Sequence, residues 1–103
     1  MDKSLLELSK FEAADYLQTE EDMRNYLDEV ISENDPEAFL QALNTVARAR
    51  GMTKLSLETG IPRESLYQSL SPKGNPGFHT LWKIARALGC TLVMKKAPLE
   101  KSA

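Results

Sequence analysis

Apolar positions recur along most of the chain at a helical period. Met23, Tyr26, Leu27, Val30 and Ile31 fall at i, i+3, i+4, i+7 and i+8, a single stripe. Thr19-Glu20-Glu21-Asp22 precedes them and supplies a hydroxyl cap with acids at the positive end of the dipole. The pattern predicts a helix from Thr19 that ends at Asn34 and Asp35. Asp35-Pro36-Glu37 opens a second helix with a carboxylate cap and proline at the first position. Its inner stripe is Phe39, Leu40, Leu43, Val46 and Ala47; Arg48 and Arg50 suit the last turn, and Gly51 supplies the exit. Thr53 is expected to cap a short third helix reaching Thr59, with Leu55 facing inward and Ser56 at a close crossing. Gly60 stops it, and a fourth helix runs from near Pro62 to about Leu70, with Leu66 and Leu70 inside. Ser71 to Gly77 (S-P-K-G-N-P-G) is a loop by composition. A last helix, about Phe78 to Leu88, carries Phe78, Leu81, Trp82, Ile84, Ala85 and Leu88 and ends at Gly89. Cys90 to Met94 (C-T-L-V-M) reads as a short strand only where a second strand pairs with it, as across a dimer axis.

These elements make an all-α chain of about five helices with one short C-terminal strand. A length of 103 residues suits one small domain. Within it the expected parts are an acidic N-terminal arm and helix (1–34), a helical body (35–96) and a frayed tail (97–103). Met1 to Gln18 holds only scattered apolar anchors, Phe11, Tyr16 and Leu17 among them.

Composition narrows the class. At 42% hydrophobic and 27% charged residues, the chain matches an ordinary soluble protein. No run approaches the ~18 apolar residues of a membrane span, and Glu7 and Lys10 interrupt any apolar leader. The single cysteine, Cys90, forms no internal disulfide and leaves too few ligands for structural zinc. A reducing, cytoplasmic location is expected, without membrane, metal or cofactor. One histidine, His79, and one cysteine do not place a nucleophile beside a base, so an enzyme is not expected.

Charge changes the picture more. Up to Asp35 there are eleven acids against three bases (Lys3, Lys10, Arg24). From Pro36 onward there are ten bases against four acids (Glu37, Glu58, Glu64, Glu100). An acidic arm joined to a basic body is the expectation, and charge alone does not choose the partner of either.

Thr53 to Leu70 (T-K-L-S-L-E-T-G-I-P-R-E-S-L-Y-Q-S-L) has helix-turn-helix spacing. Ser56 is small where two backbones must approach, Gly60 tolerates positive φ, and Ile61 plugs the gap. Leu55 and Leu66 would pin the helices, leaving one face of the second free. Arg63, Glu64 and Gln68 are the expected base-reading residues, since guanidinium suits guanine, a primary amide suits adenine and a carboxylate accepts from cytosine. Thr53, Lys54, Ser65, Tyr67, Ser69 and Lys73 are candidates for the DNA backbone.

Phe39 to Leu88 resembles the Xre (Cro/C1-type) helix-turn-helix family, and more narrowly its HigA-like addiction module antidote branch. The likeness lies in F-E-A-A-D-Y-L (Phe11 to Leu17), A-R-A-R-G-M (Ala47 to Met52), R-E-S-L-Y (Arg63 to Tyr67), L-S-P-K-G-N-P (Leu70 to Pro76) and A-L-G (Ala87 to Gly89). Where many members carry a glutamine, this chain has Met52-Thr53, and Thr53 would replace its phosphate contact. The resemblance implies a lambda-repressor-like domain in an antitoxin. Such a protein dimerises on operator DNA, represses its own operon and neutralises a RelE/ParE-like toxin. The alternative is a stand-alone Xre-like repressor without a toxin. With a basic toxin as partner, Tyr16, Leu17, Met23, Tyr26 and Leu27 are the expected contact surface; the same residues equally suit docking of the first helix onto the body.

Overall fold

The computed structural model of the protein describes residues 17–97, and these hold five helices: α1 Glu20–Ile31, α2 Pro36–Arg50, α3 Met52–Thr59, α4 Arg63–Ser69 and α5 Phe78–Ala87. The expected caps form at the first two. Thr19 Oγ1 accepts from the Asp22 amide at 3.0 Å while Asp22 Oδ2 accepts from the Thr19 amide at 3.2 Å, a reciprocal capping box. Asp35 Oδ1 accepts from the amides of Glu37 and Ala38 at 3.1 and 3.2 Å, with Pro36 in the first turn. The third helix departs from expectation. Its N-cap is Gly51, at φ 112°, and Thr53 lies within the first turn without capping it. A single glycine thus ends α2 and starts α3, leaving no room for a side-chain cap between them.

α1 lies along α2, α3 packs on α2, and α4 and α5 pack on α3. One core joins them: Leu17, Met23, Tyr26, Leu27 and Val30 meet Leu43, Val46, Ala47, Leu55, Leu66, Leu70, Ile84 and Leu88. The helix of the acidic segment is therefore built into the same interior as the body. Four of the residues expected to face a toxin, Leu17, Met23, Tyr26 and Leu27, are buried here and dock α1. Their apolar area gains more from the facing stripe of α2 than from water. Tyr16 lies outside the described residues.

Arg50 adds a polar tie. Its side chain is 10% exposed and reaches Glu20 Oε2 on α1 at 2.6 Å and Glu58 Oε2 on α3 at 3.1 Å. Hydrogen bonds to Glu58 first, then to Glu20, raise its pKa further, so this guanidinium is permanently charged.

Among the described residues none is a strand. Cys90 to Met94 follows α5 without regular structure, and Val93 and Met94 are exposed. The expected strand does not form in the single chain, because its amides and carbonyls meet no second strand to complete a ladder. The last helix also differs in detail. Ile84, Ala85 and Leu88 are buried, whereas Phe78 and Trp82 are exposed and lean on one another with ring centroids 5.6 Å apart.

Candidate nucleic-acid interface

α3 and α4 are joined by Gly60, Ile61 and Pro62. Gly60 takes the left-handed conformation (φ 78°, ψ 8°), and its amide donates to Ser56 O at 2.8 Å. Side chains then fasten the corner. Ser56 Oγ donates to Ile61 O at 2.6 Å, Thr59 Oγ1 donates to Leu55 O at 2.8 Å, and the Ile61 amide donates to Thr59 Oγ1 at 3.2 Å. Ser56 was expected only as a small residue; its hydroxyl also satisfies a turn carbonyl that the bend takes out of helical bonding. Leu55 and Leu66 are 0% exposed, so both helices are pinned from within.

That anchoring decides which face of α4 looks outward. Arg63, Glu64, Ser65 and Gln68 are exposed, Tyr67 and Ser69 half-buried. Side chains able to read hydrogen-bonding edges therefore project from a seven-residue helix whose other side is locked into the core. No side chain caps α4 or α3. Thr53 and Lys54 are exposed in the first turn of α3. Lys73 is exposed in the loop after α4, which turns back tightly: a Cβ on Gly74 would stand 2.1 Å from Ser69 O. The Gly74 amide donates to Ser71 O at 2.8 Å, which closes the loop beside the Ser69 carbonyl.

The structure brings Arg63 and Tyr67 together and adds a residue that sequence reasoning had left as a dipole partner. The Arg63 guanidinium carbon lies 5.9 Å from the centroid of the Tyr67 ring, and that of Arg48, from the last turn of α2, lies 5.0 Å away. Both distances fall within cation–π range. No local motif marks Arg48, which lies nineteen positions before Tyr67 in the chain. Its alternation with Arg50 was the available signal, since neighbours two apart on a helix point to different sides. Lys54 on α3 and Lys73 in the loop after α4 are exposed, which adds two further cationic points on either side of the α4 face.

His79 and Cys90 take ordinary places. His79 is exposed, its ring set edge-on to Phe78 at 5.8 Å. Cys90 is half-buried at a cavity of about 370 Å³ between α1, α2 and the chain after α5, and burial pushes its thiol pKa up. Among the described residues no group of His, Cys, Asp and Glu is arranged to hold a metal ion, and no helix is long and apolar enough to cross a membrane.

Comparison with known proteins adds two findings. A family model described as "Probable addiction module antidote protein" matches residues 7–96. An uncharacterized protein of Haemophilus influenzae is 43% identical over 82 residues, which cover 80% of this chain and 84% of that protein. No solved structure matches the chain significantly.

Proposed function

The chain belongs to the family of probable addiction module antidote proteins, and on that premise we propose that it is the antitoxin of a type II toxin–antitoxin module which binds operator DNA, represses its own operon and neutralises a RelE/ParE-like toxin. In this reading it is a HigA-like member of the Xre family with a lambda-repressor-like body, α2 to α5. α3 and α4 are the helix-turn-helix, and a homodimer sets its two recognition helices in successive major grooves, roughly 34 Å apart. Arg63, Glu64 and Gln68 read base edges. Thr53, Lys54, Ser65, Tyr67, Ser69 and Lys73 position the duplex through its phosphates.

One observation carries the proposal: Arg63, Glu64 and Gln68 are outward together on α4 while Leu55 and Leu66 are fully buried. The test is a binding assay of the full chain on duplex DNA taken from upstream of its own gene, beside a shuffled duplex, at two salt concentrations. The upstream duplex is expected to bind more tightly, with affinity falling steeply as salt rises. Equal, weak binding to both duplexes overturns the DNA-binding reading.

The burial of Leu17, Met23, Tyr26 and Leu27 favours a second reading, a stand-alone repressor whose N-terminal helix serves the fold. Under the first reading the outward acids of α1, Glu21, Asp28 and Glu29, attract a basic toxin instead. Co-purification separates the two: the antitoxin reading expects the product of the adjacent gene to elute with this chain as a stable complex.

A further inference from the structure

Two arginines share the last turn of α2 and have opposite surroundings. Arg50 is enclosed and faces Glu20 and Glu58. Arg48 is exposed; its Nε donates to Oδ1 of the buried Asn44 at 3.3 Å, and its guanidinium stands 5.0 Å from the Tyr67 ring centroid. Arg63 approaches the same ring at 5.9 Å. Among the described residues no carboxylate pairs with either Arg48 or Arg63. Two guanidinium groups are therefore gathered on one half-buried phenol, with no described carboxylate in ion-pair range of either. The ring quadrupole offsets only part of their mutual repulsion. An anion supplied from outside offsets the rest, and a guanidinium binds a phosphodiester through paired N–H donors.

We propose that Arg48 is a further contact to the DNA backbone, taking a phosphodiester beside the base that Arg63 reads, and that the Tyr67 ring is the positioning residue which holds both guanidiniums. The inference rests on the DNA-binding reading of α4. This replaces the direct phosphate contact proposed for Tyr67 above with an indirect one, through its ring and not its hydroxyl: an aromatic plane with only two side-chain torsions, clamped by partial burial, restricts the two long side chains before DNA arrives. Arg48 then adds affinity on every sequence, while Tyr67 adds discrimination through Arg63.

The experiment uses the full chain, the same upstream and shuffled duplexes, and a salt series. Arg48→Gln is expected to make the slope of log affinity against log salt shallower by about one, an affinity loss of roughly eightfold near 0.1 M salt on both duplexes. Tyr67→Leu is expected to lower the preference for the upstream duplex, and to lower it little further in an Arg63→Ala background. Tyr67→Phe, which keeps the ring, restores most of the preference. Unchanged slope and affinity in Arg48→Gln overturn the inference while leaving the DNA-binding reading intact, provided the wild type prefers its upstream duplex. A Tyr67→Phe variant as impaired as Tyr67→Leu assigns the hydroxyl to DNA and overturns the positioning role. A wild type without any preference removes both. Where Tyr67→Leu fails to fold, Arg48→Gln and Tyr67→Phe decide.

Discussion

Gly60 and Gly74 both sit at bends beside α4, for different reasons. Gly60 needs its backbone conformation: φ is 78°, and an added Cβ meets nothing within 4 Å. Gly74 needs its emptiness, because a Cβ there would strike the carbonyl of Ser69. Gly60→Ala should cost about 1 kcal/mol, the strain of a left-handed residue. Gly74→Ala should cost at least about 2 kcal/mol, since backbone must move. Urea midpoints at unchanged m-value check both. The first requirement was legible in the sequence, since a glycine at a helix stop implies positive φ. The second was not, since S-P-K-G-N-P-G gives no sign of which glycine touches α4. The outward site residues were legible for a related reason: once Leu55 and Leu66 are assigned inward, helical geometry assigns Arg63 and Gln68 outward. On the proposed function, Arg63→Ala relaxes base preference at one position by ~1–3 kcal/mol, measured on single-substitution duplexes. Lys54→Ala weakens binding to all of them alike.

Helices with local stop and start signals were readable at the level of elements. Thr19 with Asp22, Asp35 with Pro36, and Gly51 each act within one turn of their own position, so no distant residue alters their effect. The start of α3 was misplaced because Thr53 looks like a cap, while Gly51 already serves both neighbouring helices. The C-terminal segment Cys90 to Met94 has no regular structure in the single chain, since a strand depends on a partner that local composition does not supply. Long-range ties were invisible as well. Nothing near Arg50 in sequence announces Glu20, thirty residues earlier, as its partner. Arg50→Ala should lower stability by about 2 kcal/mol, the scale of charged hydrogen bonds lost from an enclosed site. The loss should show as a lower urea midpoint, and Glu58→Gln should fall between that variant and wild type.

For the molecule as a whole, the uneven charge suggested an arm beside a body, whereas the apolar stripe of α1 closes the body's own core. Charge describes the surface, and the stripe decides where a helix docks; Leu17, Met23, Tyr26 and Leu27 are buried in the single chain. A chain beginning at Asp35 should therefore lay bare Leu43 and Val46 and lose cooperative urea unfolding. Alkali should act through the same helix. Burial, with Glu29 second, raises the Tyr26 phenol above its ordinary pKa of 10.0, and Cys90 is raised by burial from 9.0. Each raised group favours its neutral form in the folded state. Stability is complete below the unfolded value and declines as pH climbs through the folded one. Urea unfolding from about pH 8 to about pH 11 should show that decline, and Tyr26→Phe should flatten it. The Glu20–Arg50–Glu58 clip has one more consequence. A protease that removes the N-terminal third of the chain takes both the cover of the interior and one of the two anions that hold Arg50 against α3. On the proposed function, digestion of the antidote would then silence its operator grip in the same event, so that toxin release and resumed transcription of the module begin together.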